Sequence, residues 1–263
     1  AGKLEFCKNL EEHISFVPTE GQLLVEMKYA PINPSDYLFY KGYYPDKKPY
    51  PCIPGFEGFG VIVDAGDSEH KALVGKPCAL MAFTNQHGTY ASHTISLVKN
   101  TIILDELPNP ETFEYLVNPI TALGLLDEVH KHGSTVFLQN GASTSVGKLI
   151  LFYNSLHQKM KSINIVRNDK HREELLALGA TEVLNQTDAD YLEKLTKSIN
   201  EHKPSAVLDC LAGKATAEIF NRLPKGAYHW VYGILEMKPI DGINGAELLF
   251  TNKQLRGFHL YHS

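Results

Sequence analysis

No run of about 18 apolar residues occurs anywhere in the chain, so no segment reads as a helix that crosses a membrane. Cysteine is scarce. Its four copies, Cys7, Cys52, Cys78 and Cys210, include no C-x-x-C pair, which argues against a secreted disulfide framework and for a reducing compartment. Positive charge is not in excess: 25 Lys and Arg stand against 30 Asp and Glu, a net charge of -5, so no long-range field draws the chain toward nucleic acid or anionic lipid. Internal repeats and low-complexity stretches are missing as well, and no leader pattern is visible from Ala1 onward.

What is present is ordinary globular composition, 43% hydrophobic and 21% charged over 263 residues, enough for two modest domains or one large one. The first part reads as short strands between turns rich in Gly and Pro. Gln22–Tyr29 and residues 60–64, 78–83 and 90–95 have the branched residues and flanking breakers of strands. Pro31, Pro34, Pro45, Pro49, Pro51 and Pro54 mark the turns. Near Pro119 the pattern changes. Residues 120–130 have helical spacing, and strands then alternate with helices: strands at 135–139, 162–166, 182–184, 206–210, 229–233 and 255–260, helices from Val146, at 171–178, 191–199 and 216–223. Gly179 sits where a glycine ends a helix. Alternation at this pace predicts right-handed crossovers and a parallel, doubly wound sheet, so the chain is an α/β protein whose first part is mostly β.

The strongest local signal is the loop Asn140-Gly141-Ala142-Ser143-Thr144-Ser145-Val146-Gly147, which follows a strand and opens a helix. Small residues there let the backbone approach a pyrophosphate, whose charge the helix N-terminus stabilises. The middle glycine of G-x-G-x-x-G is missing, and the loop alone also reads as a plain strand-to-helix turn. The next strand ends in Arg167, followed by Asn168, Asp169, Lys170, His171 and Arg172. An acid at this point binds a ribose 2′-hydroxyl, whereas a guanidinium matches a 2′-phosphate, so Arg167 and Arg172 favour NADPH over NADH. A solvated basic turn is the other reading of the same residues.

With these residues in view, the whole chain resembles the medium-chain dehydrogenase/reductase superfamily, in its zinc-free quinone reductase and mitochondrial enoyl-thioester reductase branch. The resemblance rests on Ala30-Pro31-Ile32-Asn33-Pro34-Ser35-Asp36, Lys41-Gly42-Tyr43-Tyr44-Pro45, Pro54-Gly55-Phe56-Glu57-Gly58, Asn118-Pro119-Ile120-Thr121-Ala122, the glycine loop with its preceding Gln139, and Leu255-Arg256-Gly257-Phe258. It implies a GroES-like, mostly β catalytic domain over residues 1–117 and a Rossmann NADP-binding domain over 118–263. The loop without its middle glycine matches the enoyl reductase form. Zinc-dependent relatives carry a Cys early in the β domain and a Gly-His-Glu motif. Here the first place falls within residues 33–36 and the second reads Gly55-Phe56-Glu57, so no tetrahedral ligand set is expected. His87, His93, His130 and His132 read as surface or packed residues rather than ligands.

The branch reduces a double bond conjugated to a carbonyl, or a quinone, with hydride from NADPH. The resemblance makes Tyr44 the acid or oxyanion donor, with Tyr43 beside it as the fallback, although either could simply pack in a proline-rich turn. Asn33 corresponds to the residue that orients ring or substrate through its amide, and also reads as an Asn-Pro turn. Thr121 corresponds to a nicotinamide contact, and Tyr232-Gly233 to the close approach after the fifth strand. Glu57 is expected to be structural, and Cys210 a small packing residue rather than a nucleophile. A 2-enoyl thioester is the expected substrate, a quinone the runner-up, and a homodimer the implied assembly. Mitochondrion and cytoplasm both remain open. Family members continue past the Leu-Arg-Gly-Phe strand to wall the substrate pocket. The chain therefore reads as a fragment lacking that return segment, or as a non-catalytic subunit of a larger assembly.

Overall fold

The computed structural model describes residues 14–44, 48–82, 86–110, 115–157 and 159–260. Cys7, Pro45 and Phe83 lie outside the described residues. The chain divides into two compact units, residues 1–117 and 118–263.

The first unit is an antiparallel sheet. Its strands are β1 (Gln22–Tyr29), β2 (Glu57–Ala65), β3 (Pro77–Met81), β4 (His93–Leu97) and β5 (Thr101–Ile103), in the order β4-β1-β2-β3-β5. Alternation aims Leu23 and Val25 of β1 inward, where they meet Ile62, Ala65, Cys78 and Leu80. A short helix, α1 (Pro34–Tyr40), stands where the Asn-Pro pair suggested only a turn. Pro34 opens it with a preset φ, and the Asp36 carboxylate accepts the Asn33 N–H at 2.8 Å. The strand expected over 90–95 begins only at His93. Its first residue is used elsewhere: the Tyr90 N–H bonds the carbonyl of Pro54 at 3.1 Å, next to a bond from the Thr89 N–H to the Gly55 carbonyl at 3.3 Å.

The second unit carries six parallel strands: β6 (Val136–Gln139), β7 (Lys161–Val166), β8 (Glu182–Asn185), β9 (Ala206–Asp209), β10 (Tyr228–Val231) and β11 (Gln254–Gly257). Helix α2 (Val117–Lys131) precedes β6, and helices α3 (Ser145–His157), α4 (Arg172–Ala177), α5 (Tyr191–His202), α6 (Gly213–Phe220) and α7 (Gly245–Thr251) run between the strands. The strand order is β11-β10-β9-β6-β7-β8, which reverses direction between β6 and β9. That reversal is the switch point at which doubly wound sheets open a crevice. Successive residues serve opposite faces. Phe137 and Leu208 join Leu125, Val129, Ile150 and Leu151 in one core, while Leu138 and Val207 join Ile163, Leu195, Ile199 and Phe220 in the other. Gly179, at φ +95°, closes α4, with the N–H groups of Gly179 and Ala180 on the carbonyls of Leu176 and Leu175 at 3.0 Å.

Candidate functional site

The glycine loop leaves the C-terminal end of β6 at the switch point. Gly141 has φ +57°, and a Cβ there would lie 2.3 Å from Cys210 Sγ, so no side chain fits. Gly147 packs α3 on the loop: a Cβ would stand 2.6 Å from the Ala142 carbonyl oxygen. Where the middle glycine is missing, Thr144 caps α3, its hydroxyl accepting the Gly147 N–H at 3.2 Å. The first N–H groups of α3, at Ser145 and Val146, have no helical carbonyl a turn earlier and are available to an anion.

Gly141, Ser143 and Thr144 line a cavity of about 120 Å³ together with Ile165, Arg167 and Gln186, and with Leu211, Leu235 and Glu236 beyond β9 and β10. Arg167 is exposed at this cavity. Arg172, grouped with it from the sequence, lies elsewhere. Its Nε and Nη2 donate to Asp169 Oδ1 at 3.0 and 2.7 Å and its Nη1 to the Val183 carbonyl at 2.6 Å. It lines a separate depression with Glu182, Val183 and Lys194. Hydrogen bonds from Asn185 and then Arg172 hold the Asp169 carboxyl below its ordinary range, so this acid is already engaged away from the cavity.

Tyr232 and Gly233 follow β10 and press on Cys210. A Cβ at Gly233 would lie 2.7 Å from the Cys210 carbonyl oxygen, which accounts for the glycine. The Tyr232 hydroxyl is buried beside the Cys210 thiol, and burial pushes both groups upward, the thiol to about 12. Cys210 is thus a packed thiol with no thiolate character. Thr121 lies in the second turn of α2 and is half-buried.

In the first unit, the Asn33 side chain is nearly buried and donates through Nδ2 to Glu57 Oε1 at 2.6 Å. Glu57 Oε2 accepts the Val117 N–H, the first of α2, at 2.8 Å. Burial raises the Glu57 carboxyl despite these donors, and burial likewise raises Asp36. The Tyr44 ring packs on Phe56 with centroids 4.9 Å apart, while Tyr43 is exposed. Phe56 is itself buried, edge-on to Phe39 at 5.5 Å and under the Lys48 ammonium at 5.6 Å. The position next to Glu57 is therefore filled by an aromatic box. Among the described residues no group of three or more His, Cys, Asp or Glu could hold a metal ion.

The sequence left Gln186, Leu211, Leu235 and Glu236 out of the site. All four lie at or beyond the C-terminal ends of parallel strands, so the edge rule for such sheets was the available signal.

Comparison with known proteins gives two family patterns: an alcohol dehydrogenase GroES-like domain at residues 19–99 and a zinc-binding dehydrogenase domain at 146–263. The mitochondrial enoyl-acyl-carrier-protein reductase of Arabidopsis thaliana is 30% identical over 92% of this chain and 65% of its own length. That of Caenorhabditis elegans is 30% identical over 92% of the chain and 69% of its own length. The chain thus spans about two thirds of these relatives. Among solved structures, a Mesorhizobium loti protein described as an NADPH:quinone reductase superposes with TM-score 0.86 at 30% identity, covering 93% of this chain and 71% of that one. An enoyl thioester reductase from Candida tropicalis shares the fold, with TM-score 0.71 at 23% identity over 92% of this chain and 74% of that one. These two patterns, the 30% identity to the Caenorhabditis elegans reductase and the superposition on the Mesorhizobium loti protein show that the chain belongs to the medium-chain dehydrogenase/reductase superfamily, in its zinc-free enoyl and quinone reductase branch.

Proposed function

We propose that this chain forms the core of an NADPH-dependent reductase of an activated carbon-carbon double bond, with a 2-enoyl thioester as substrate. Residues 118–263 hold the nucleotide and residues 1–117 carry the catalytic groups. One observation carries the cofactor reading: Arg167 stands at the cavity walled by Gly141, Ser143 and Thr144, while the nearby Asp169 is bonded away from it. A glycine whose Cβ is excluded, open N–H groups at a helix start and a guanidinium suit a pyrophosphate and a 2′-phosphate.

The cofactor supplies hydride. The chain's own residues do the rest. Asn140, Gly141, Ala142, Ser143, Thr144, Ser145, Val146 and Gly147 form the phosphate loop, and Arg167 binds the 2′-phosphate. Thr121, Tyr232 and Gly233 border the nicotinamide. Hydride reaching the substrate β-carbon drives charge onto the thioester oxygen, and a donor must meet it there. Tyr44 supplies that donor or the proton for the α-carbon. The Asn33 amide is held by Glu57 through one of its two N–H donors, which leaves the other to orient a ligand. Glu57 is then a positioning residue.

The enoyl reductase relatives support the thioester. The likeness to the Mesorhizobium loti protein supports quinone reduction as the second reading. Fluorescence titration tests the cofactor: NADPH binds more tightly than NADH by ~1.5–3 kcal/mol, the worth of a hydrogen bond to a charged group. Arg167→Ala removes that preference. Equal affinities in the wild-type protein, or an unchanged preference in the variant, refute the assignment.

The assembly proposed is a homodimer. Strand β11 is an edge of the sheet, and α7 beside it in sequence exposes Leu249 and Phe250. Sedimentation of the chain at micromolar concentration shows a dimer on this reading, and a monomer throughout contradicts it.

A further inference from the structure

The last residue of β9 is an acid in an apolar strand. Asp209 is fully buried, and its carboxylate gathers donors from four places in the second unit. Oδ1 accepts from Asn140 Nδ2 at 2.5 Å, from the Leu211 N–H at 2.9 Å and from the Ala212 N–H at 3.0 Å. Oδ2 accepts from the Thr216 hydroxyl at 2.5 Å and from His229 Nε2 at 2.9 Å. Asn140 is locked in return, since its Oδ1 accepts the Cys210 N–H at 2.8 Å. Burial alone would raise this carboxyl, but the His229, Thr216 and Asn140 partners outweigh it and hold the group at about 2, so it is ionised at neutral pH.

The turn that follows is held in an unfavourable shape. Ala212 has φ +59° and ψ -161°, a region almost reserved for glycine, and it is followed by Gly213 at φ +70°. Such a conformation persists where its surroundings over-determine it. Here two successive N–H groups of the turn end on one oxygen of Asp209. The turn also carries the far side of the cavity. Leu211 lines it, and the carbonyls of Cys210 and Leu211 accept the N–H groups of Leu235 and Glu236, two further wall residues, each at 3.0 Å.

We infer that Asp209 is the positioning residue of the nucleotide cleft: its carboxylate ties Asn140 of the glycine loop to the strained turn at Leu211 and Ala212, so that both walls stand in place before a nucleotide arrives. This rests on the nucleotide reading of the cleft, but the ordering of the walls is measurable without a ligand. An ionised carboxylate is needed because it only accepts. An amide of the same size keeps one acceptor oxygen and turns two donors toward groups that themselves donate.

The test uses NADPH titration and amide hydrogen exchange on the wild-type chain, Asp209→Asn, Ala212→Gly and the double variant. Asp209→Asn weakens NADPH binding tenfold or more and speeds exchange at Leu211 and Ala212 and through residues 141–144. Ala212→Gly, which removes the strain, restores at least threefold of the lost affinity in the Asp209→Asn background, yet tightens the wild-type protein by less than twofold. A purely structural role for Asp209 would not produce that rescue. Affinity within twofold of wild type in Asp209→Asn, or a double variant no better than Asp209→Asn, overturns the inference. Should Asp209→Asn fail to fold, Thr216→Val removes one donor from the same carboxylate. A two- to fivefold loss of affinity that Ala212→Gly reverses supports the role, and no loss refutes it. A wild-type chain that binds no NADPH sinks the cofactor reading alone. Exchange at the two walls then decides the positioning role, and an unchanged rate in Asp209→Asn or Thr216→Val overturns it.

Discussion

Two buried carboxylates, one in each unit, meet opposite fates. Glu57, where β2 begins, is 1% exposed and Asp209, where β9 ends, is 0% exposed. Burial raises Glu57, which accepts from Asn33 and Val117 and has Asp36 as a like-charged neighbour. The same burial acts on Asp209, but the His229 imidazole and the Thr216 and Asn140 side-chain donors reverse it. Depth is alike in the two places; what decides the sign is the supply of donors and the charge of the neighbours. The difference is in keeping with the proposed split between a catalytic and a nucleotide-binding unit. In the second unit the fixed charge of Asp209 joins Asn140 to the turn at Leu211 and Ala212. The first sets its acid behind an amide and beside an aromatic box under the Lys48 ammonium.

The largest expected effect is in the first unit. Tyr44→Phe removes only a hydroxyl, and the ring can keep its contact with Phe56. Turnover with an enoyl thioester falls by an amount like the ~2.7–4 kcal/mol of a lost oxyanion donor, while NADPH affinity barely moves. Tyr43→Phe, at an exposed ring, costs far less. Steady-state kinetics on a version of the enzyme that extends to the full length of its relatives checks this. Unchanged turnover in Tyr44→Phe removes the tyrosine from the mechanism and breaks the division between a chemical and a binding unit.

A smaller effect appears in stability against pH. Asp209 goes from an ordinary 3.8 to about 2 on folding, so its contribution is present above pH 3.8 and disappears as pH falls toward 2. The amount is about 2 kcal/mol by linkage. Glu57 has the opposite sign. Its folded pKa lies above the ordinary 4.5, so its contribution is present below that value and is lost as pH rises through the folded pKa. Urea melts from pH 2 to 7 should show Asp209→Asn flattening the acid limb, and Glu57→Gln flattening the decline above pH 4.5. The same limb flattened by both variants would contradict the comparison.

Much of this was legible in the sequence, unevenly. Strand β1 has the bounds that its branched residues and flanking breakers indicate, and the parallel sheet follows from strand-helix alternation, because strands buried on both faces leave an apolar run. Helix α1 was not legible: seven residues form a helix there because Asp36 bonds back to Asn33. Arg172 looked equivalent to Arg167 five residues earlier. A 3-10 turn at Asp169–His171 intervenes, and Asp169 and the Val183 carbonyl engage the guanidinium. The role of Asp209 was not legible, because its partners Asn140 and His229 are 69 and 20 residues away, brought close only by the order of β6, β9 and β10.

The central claim is a division of labour that reduces an enoyl thioester with NADPH. The most direct measurement is a panel of enoyl thioesters and quinones, each offered with NADPH and with NADH to the enzyme at the full length of its relatives. The account predicts fast oxidation of NADPH with the thioesters, slow oxidation of NADH with the same substrates, and weak rates with quinones. Faster turnover of quinones would move the substrate to the second reading. NADPH binding with no turnover of either class would contradict the account.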